Sequence, residues 1–287
     1  MKRILITGKD SYIGTSFEAW LARPEYAGLY EVDTVDMRGD GWRKVSFSGY
    51  DAVFHVAGIA HVDIGSVAKE DQKQYYAVNC DLAFEAAKKA KEDGVRQFIF
   101  MSSIIIYGED ISLREKRVIT RNTAPMPSTF YGDSKWRAEQ KLTPLNDADF
   151  HVALLRAPMI YGPGCKGNYQ LLRRIALRSP VFPDFPNERS ALYIGNLCEY
   201  VRRLVDSQRS GIFFPQDSRY IRTSGMVRQI ARRHGKRIIL VKGLNWAVGL
   251  LAYAPGKIGR MVNKAFGSLV YEKGIDVSFS GVDDRPV

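Results

Sequence analysis

The sequence predicts a doubly wound α/β fold, a parallel sheet covered by helices on both faces, with a smaller lobe toward the C-terminus. Three observations carry that expectation. Short apolar strands alternate with helical patterns through about residue 157, the rhythm of βαβ units. The first unit turns from strand to helix on glycines, Gly8-Lys9-Asp10-Ser11-Tyr12-Ile13-Gly14. Beyond 157 the spacing changes, and two Pro/Gly-rich stretches, 162–167 and 179–186, interrupt the pattern as loops lining a cleft would. A chain of 287 residues with 45% hydrophobic content has ample material for a core.

The N-terminal unit comes first in the chain. Lys2 to Thr7 is a short apolar strand (Ile4, Leu5, Ile6), and the helical pattern after the turn runs through Phe17, Trp20 and Leu21. Such a turn aims backbone N–H groups and the positive end of the helix dipole at a pyrophosphate. Gly8 permits the tight turn, Gly14 lets helix pack on strand, and Ser11, Tyr12 and Ile13 bring their backbone to the ligand. Ser11 stands where a middle glycine is usual, so the turn has to tolerate a side chain near the phosphates. A second strand, Tyr30 to Val35, ends in Asp36, some 22 residues past Gly14, where a carboxylate accepts hydrogen bonds from an adenosine ribose diol. Arg38 could pair with a 2′-phosphate, but Asp36 would repel that phosphate. The expected cofactor is therefore NAD, with NADP disfavoured. On this reading residues 1–157 form a dinucleotide-binding domain and 158–287 a mainly substrate-binding lobe, with some segments returning to the first domain.

Further along, Tyr131-Gly132-Asp133-Ser134-Lys135 opens an amphipathic stretch about 28 residues past the paired serines Ser102-Ser103. On a helix, residues four apart share a face, so phenol and ammonium can point into one cleft. A nearby Lys⁺ and the positive end of a nicotinamide favour phenolate over phenol. Tyr131 is thereby a candidate acid/base for moving a hydroxyl proton while hydride leaves carbon. Tyr and Lys at this spacing also occur on many solvated helix faces, and it is the dinucleotide turn upstream that raises the catalytic reading above that one.

These segments fall in one order: Thr7-Gly8 to Gly14, Asp51 to Gly58, Asn79, Phe98 to Ser103 leading to Tyr107-Gly108, the Tyr131/Lys135 pair, and Leu155-Arg156-Ala157-Pro158-Met159-Ile160-Tyr161-Gly162-Pro163. In that order the chain resembles the extended short-chain dehydrogenase/reductase family, the NAD-dependent nucleotide-sugar epimerases, dehydratases and reductases. The blocks 162–169 and 188–197 are similar to the bacterial polysaccharide branch that acts at C4 of UDP-N-acetylhexosamines and their 4-keto relatives. The resemblance implies that Ser103 hydrogen-bonds the reacting hydroxyl, and that Lys135 holds the nicotinamide ribose as well as tuning the phenol. It also implies that Ala57 and Gly58 pass close to the cofactor, that Asn168 lies near the sugar or uridine and Arg189 near the diphosphate, and that the protein is a homodimer. A planar guanidinium suits phosphate oxygens in bidentate fashion, although a surface arginine at a strand edge is the plainer reading of Arg189.

Dehydratases of this family follow the hydroxyl-bonding residue with an acidic pair, whereas Ile104-Ile105-Ile106 follow Ser103 here. Those positions supply no carboxylate for eliminating water. What remains is hydride transfer at C4 of a UDP-hexose, as a 4-epimerase or a 4-ketoreductase, and the sequence leaves both open. Met159, where many epimerases carry Asn, leaves the choice of sugar open too. A different class stands beside these, a non-catalytic dinucleotide-binding sensor or scaffold of the same fold. Such regulators commonly lose the Tyr or the Lys, and this chain keeps both along with Ser103.

Composition narrows the partners. The first strand begins almost at the N-terminus, leaving no room for a signal peptide, and no apolar run reaches the ~18 residues of a membrane span. Cys80, Cys165 and Cys198 are unclustered, and the histidines His55, His61, His151 and His234 are dispersed, so no metal site is expected and a reducing cytoplasm is the simplest compartment. The formal net charge of +11 would steer an anionic diphosphate substrate. Nucleic acid is not expected, because no recognition motif accompanies the charge. Residues 243–270 are apolar and cationic and admit a peripheral membrane contact, or else a pair of amphipathic helices closing the substrate lobe, split at Pro255-Gly256. The family likeness of 266–270 favours the helix pair.

Overall fold

The computed structural model describes residues 1–59, 69–109, 111–165 and 168–276. The side chains of 69–71, 168 and 257 lie outside that description, as do His61 and the tail from 277 onward.

The N-terminal half runs β1 (Lys2–Thr7), α1 (Tyr12–Leu21), β2 (Tyr30–Val35), β3 (Ala52–His55), α2 (Lys69–Tyr76), α3 (Leu82–Glu92), β4 (Gln97–Ser103), β5 (Lys116–Ile119) and α4 (Phe130–Leu142). It continues through β6 (His151–Ala157), β7 (Met159–Tyr161), α5 (Asn168–Arg178), β8 (Val181–Pro183), β9 (Ala191–Tyr193), α6 (Ile194–Ser207), β10 (Gly211–Phe213) and α7 (Thr223–Arg233). The chain closes with β11 (Ile239–Val241), α8 (Asn245–Ala252), α9 (Lys257–Phe266) and β12 (Ser268–Tyr271).

Six parallel strands form the main sheet in the order β10-β6-β4-β3-β1-β2. Helices cover both faces, which is the fold class that the alternation of strands and helices predicts. Because both faces are covered, the strands are continuous apolar runs: Ile4, Leu5 and Ile6 of β1 and Phe98, Ile99 and Phe100 of β4 are fully buried. α1 and α6 pack on one face through Phe17, Leu197, Val201 and Leu204. On the other face α3 presents Ala83, Ala86, Ala87 and Ala90, a stripe at i, i+3, i+4 and i+7 whose small side chains let the helix sit close. β10 and α6 thus belong with the parallel sheet although they follow residue 157. The remaining C-terminal elements α5, α7, α8 and α9 enclose a separate core around Phe182, Val227, Ile230 and Phe266.

The strand order reverses at β1, which sends the chain outward to β2 on one side and, by way of β3, toward β4 on the other. Ligands of open α/β sheets bind at such a switch point, beyond the C-terminal strand ends. Register places Thr7 beside both Val35 and His55, and Ser103 beside Ala157. The residues that follow those ends, Gly8, Asp36, Ala57 and Gly58, therefore lie along one edge with Ser103.

Candidate active site

Gly8 leaves β1 with a φ of +114°, and a Cβ there would stand 2.8 Å from the Ala57 nitrogen. Only glycine lets the turn and the exit of β3 touch in this way. The Ala57 N–H donates to the Thr7 carbonyl at 2.9 Å and the Gly8 N–H to the Val35 carbonyl at 3.0 Å, lacing together the ends of three strands. Ser11 is the N-cap of α1, its hydroxyl accepting from the Gly14 N–H at 3.1 Å. The side chain that the sequence leaves beside the phosphates is thus engaged by the helix start, whose N–H groups have no partner within the helix. The Tyr12 ring lies against Gly162 and Gly164 of the loop after β7, and its buried hydroxyl has no partner among the described residues. Ile13 packs against the α1–α6 face of the core.

Asp36 follows β2, and Arg38 folds back onto it. The Arg38 Nε donates to both carboxylate oxygens at 2.9 and 3.0 Å, its Nη2 to one at 2.6 Å, and its backbone N–H to the other at 3.0 Å. These bonds hold the Asp36 carboxyl at about 2, below the usual range. Two residues that the sequence sets in opposition are one exposed ion pair.

The setting of Tyr131 and Lys135 depends on how closely α4 approaches the end of β4. Thr129 caps α4 by accepting from the Gly132 N–H at 3.1 Å. A Cβ at Gly132 would come within 2.8 Å of the Ile105 carbonyl oxygen, so glycine lets the first turn of α4 rest on the backbone just past Ser103. This brings Tyr131 beside Ser103, whose hydroxyl acts on the phenol and accepts from the Ile105 N–H at 3.4 Å. Tyr75 meets the Tyr131 ring edge-on at 6.5 Å. One helical turn on, buried Lys135 donates to the Met101 carbonyl at 2.8 Å and lies 4.5 Å from the centre of the Phe100 ring. Gly58 passes directly beside the Lys135 ammonium.

Burial dominates the electrostatics. It pushes the Tyr131 phenol up to about 12, with the Ser103 hydroxyl pulling down and Glu109 and Tyr75 pushing further up. It pushes the Lys135 ammonium down to about 8, against the attraction of Glu139. Burial, not Lys135, sets the direction of the phenol's pKa shift here. The Lys135 ammonium is turned to the Met101 carbonyl.

Behind this pair lies a network that the motifs do not reveal. Glu139 continues the stripe of Tyr131 and Lys135 by one more turn of α4. Its carboxylate accepts from the Ser102 hydroxyl and from Arg156 of β6, through Nε at 3.2 and 3.1 Å and Nη2 at 2.6 Å. Arg156 Nη1 donates to the Tyr107 hydroxyl at 2.6 Å, and the Tyr271 hydroxyl donates to the Arg156 carbonyl at 2.6 Å. Asn79 fastens the other side: its Oδ1 accepts from the Ile59 N–H at 2.8 Å, while its Nδ2 donates to the Ile59 carbonyl at 3.0 Å and to Ser134 at 3.1 Å. α4 is thereby held to the exits of both β3 and β4. Only its place four residues past Lys135 pointed to Glu139.

Arg189 bridges Ile221 on one side and Leu269 on the other. Its Nη1 donates to the Lys264 and Gly267 carbonyls at the end of α9. Burial lowers its pKa, and no carboxylate among the described residues pairs with it. Glu109, which forms an ion pair with Lys264 at 2.9 Å, acts on both the Arg189 guanidinium and the Tyr131 phenol. The Glu109 carboxylate thus stands within electrostatic reach of both Arg189 and Tyr131. The carboxylate acting on the phenol is Glu109, which lies past Ile104-Ile105-Ile106 in the chain. Asn168 opens α5, and its side chain lies outside the described residues.

A family model for the NAD dependent epimerase/dehydratase family matches residues 4–212. The chain is 29% identical over 251 residues, 80% of its length and 75% of the relative's, to a UDP-glucose 4-epimerase of Vibrio cholerae. It is 27% identical over 181 residues to the N-acetyl-alpha-D-glucosaminyl-diphospho-ditrans,octacis-undecaprenol 4-epimerase of Escherichia coli O157:H7, spanning 61% of this chain and 52% of that one. Among solved structures, the UDP-glucuronic acid 4-epimerase of Bacillus cereus in complex with NAD superposes with a TM-score of 0.68 at 15% identity, covering 95% of this chain and 90% of that one. At that identity the likeness is one of fold.

Proposed function

Because the chain belongs to the NAD-dependent epimerase/dehydratase family, we propose that it is an NAD-dependent nucleotide-sugar enzyme transferring hydride at C4 of a UDP-hexose, as a 4-epimerase or 4-ketoreductase. Tyr131 takes the proton of the C4 hydroxyl, or returns it to the C4 oxygen, and Ser103, which neighbours the phenol, holds that oxygen. NAD, when bound, supplies the hydride acceptor and donor. The laced strand ends fit such a group: the backbone of Gly8 to Gly14 would hold its pyrophosphate, Asp36 its ribose diol, and Ala57, Gly58 and Lys135 its nicotinamide end. A Lys135 ammonium brought near the phenol, together with the positive nicotinamide, offsets the desolvation that holds Tyr131 neutral.

The observation that carries the UDP-sugar reading is Arg189, a desolvated cation that forms no ion pair among the described residues, Glu109 acting on it only from the side of Lys264. A half-buried guanidinium held only by backbone carbonyls keeps its charge unneutralised, and a diphosphate would satisfy it in bidentate fashion. Asn168 is proposed to lie at the sugar or uridine. The activity named for the Vibrio cholerae relative supports the same reading. Retention of Ser103, Tyr131 and Lys135 speaks against a sensor or scaffold that only binds the dinucleotide.

Titration of UDP and of NAD tests the assignment. Arg189→Ala should weaken UDP binding by roughly tenfold to a hundredfold, the worth of a charge-assisted contact, and leave NAD affinity unchanged. Arg189→Lys should recover only part of the loss, since an ammonium lacks the two-pronged geometry. A wild-type protein that binds NAD but has no affinity for UDP would remove the nucleotide-sugar reading and favour the sensor.

A further inference from the structure

α8 and α9 close the C-terminal lobe, and each has two faces. Inward, Val248, Val262 and Phe266 join the lobe's core. Outward, Trp246, Leu250 and Tyr253 stand at i, i+4 and i+7 and are 70%, 67% and 68% exposed. Leu251, Ile258 and Met261 are exposed as well. Asn263 Nδ2 donates to the Ala252 carbonyl at 3.0 Å and ties the two helices together where these residues gather. Singly exposed apolar residues are ordinary on a protein surface, but six large ones on one short helical hairpin mark an interaction surface.

The charge identifies what that surface meets. Residues 218–271 contain eleven Lys and Arg and not one Asp or Glu. This stretch alone accounts for the formal net charge of +11, so the rest of the chain is balanced. Lys242 and Arg260 are exposed beside the apolar residues, and the exposed Arg114 stacks on the Tyr253 ring at 5.6 Å. Trp and Tyr among aliphatic side chains, flanked by cations, settle at the headgroup level of a bilayer, with the cations reaching lipid phosphates. A second copy fits poorly, because a two-fold interface would set one cationic lobe against its twin. No helix among the described residues is long and apolar enough to cross a membrane, so the contact is peripheral.

We propose that the outward faces of α8 and α9 seat this protein on the surface of an anionic phospholipid bilayer. The seat is one helix away from the acid/base region: Lys264 of α9 pairs with Glu109, and Glu109 acts on Tyr131. The inference stands on surface chemistry and does not depend on the proposed reaction.

Sedimentation of the full chain with vesicles tests it. The protein should sediment with vesicles of phosphatidylethanolamine and phosphatidylglycerol, bind those of phosphatidylcholine far more weakly, and be released by high salt. Trp246→Gln with Leu250→Gln, both at exposed positions, should lower binding by ~10-fold or more while NAD affinity and thermal midpoint stay unchanged. Lys242→Glu with Arg260→Glu should also weaken binding and flatten its salt dependence. Absence of wild-type binding to phosphatidylglycerol vesicles would overturn the proposal. So would Gln variants that bind vesicles normally but turn a dimer into a monomer, an outcome that assigns the face to a second copy.

Discussion

On the proposed function, Asp36 and Arg38 set cofactor choice as a unit. Because Arg38 covers both oxygens of Asp36, the carboxylate's repulsion of a 2′-phosphate is partly neutralised. Arg38→Ala should therefore raise the preference for NAD over NADP several-fold, and Asp36→Ala, which frees the guanidinium, should shift it toward NADP. Fluorescence titration with both dinucleotides reads the ratio, and a ratio indifferent to both changes would contradict the assignment. The Asp36 carboxyl is depressed to about 2 from an ordinary 3.8, so the pair is present above the ordinary value and is lost only as pH falls through about 2. The ratio should hence be flat across neutral pH. Tyr131 shows the opposite displacement. With its phenol raised to about 12 from 10.0, the neutral form is the one that folding favours. In the difference between wild type and Tyr131→Phe, tyrosinate absorbance should appear only near that pH without NAD, and at lower pH once NAD is added. A Tyr131 that titrates at the ordinary value with or without NAD would remove burial as the controlling influence.

At the scale of the element, α4 carries Tyr131, Lys135 and Glu139 on successive turns of one face and is fixed by the buried bond from Glu139 to Arg156. The side chains of that pair are 1% and 5% exposed, so removing one charge strands the other. Glu139→Gln should destabilise the protein by ~3–5 kcal/mol, measured by urea unfolding. Adding Arg156→Met should restore part of that stability, whereas a double variant no more stable than Glu139→Gln would show that the stranded charge is not the cost. Loss of Glu139 also removes the attraction that holds the Lys135 pKa up, so that pKa should fall below about 8. The sequence reveals the outline of these elements because their cues are local: β2 ends one residue before Asp36, the helix pair splits at Pro255-Gly256 into α8 and α9, and the glycine turn opens α1. It does not reveal that Ser11 caps its own helix or that Arg38 folds onto Asp36, since a side chain's partner depends on rotamer and burial. Glu139 and Arg156 belong to different elements, and their pairing exists only once α4 lies on β4 and β6.

Across the whole molecule, the parallel sheet gathers strand ends that are far apart in the chain, and the C-terminal lobe places the Arg189 cation near Glu109, which also acts on Tyr131. The first of these is readable from alternating apolar runs. The second is not, because β7 to β11 are three residues each apart from the helices between them, too short for periodicity to show. Arg189 acquires its place from Ile221 and Leu269, far along the chain, and Glu109 acquires its role by pairing with Lys264. The charge is segregated on the same scale, into the cationic stretch 218–271 and a balanced remainder. The central claim is that hydride passes between C4 of a UDP-sugar and NAD in the cleft where these parts converge. The direct measurement uses a UDP-hexose deuterated at C4, incubated with the protein and NAD and followed by mass spectrometry and NMR. The label should be found on the nicotinamide ring or returned to C4 of the sugar, and never in solvent. Conversion of the sugar with loss of the C4 deuterium to water, or no transfer by protein that binds both ligands, would contradict the claim.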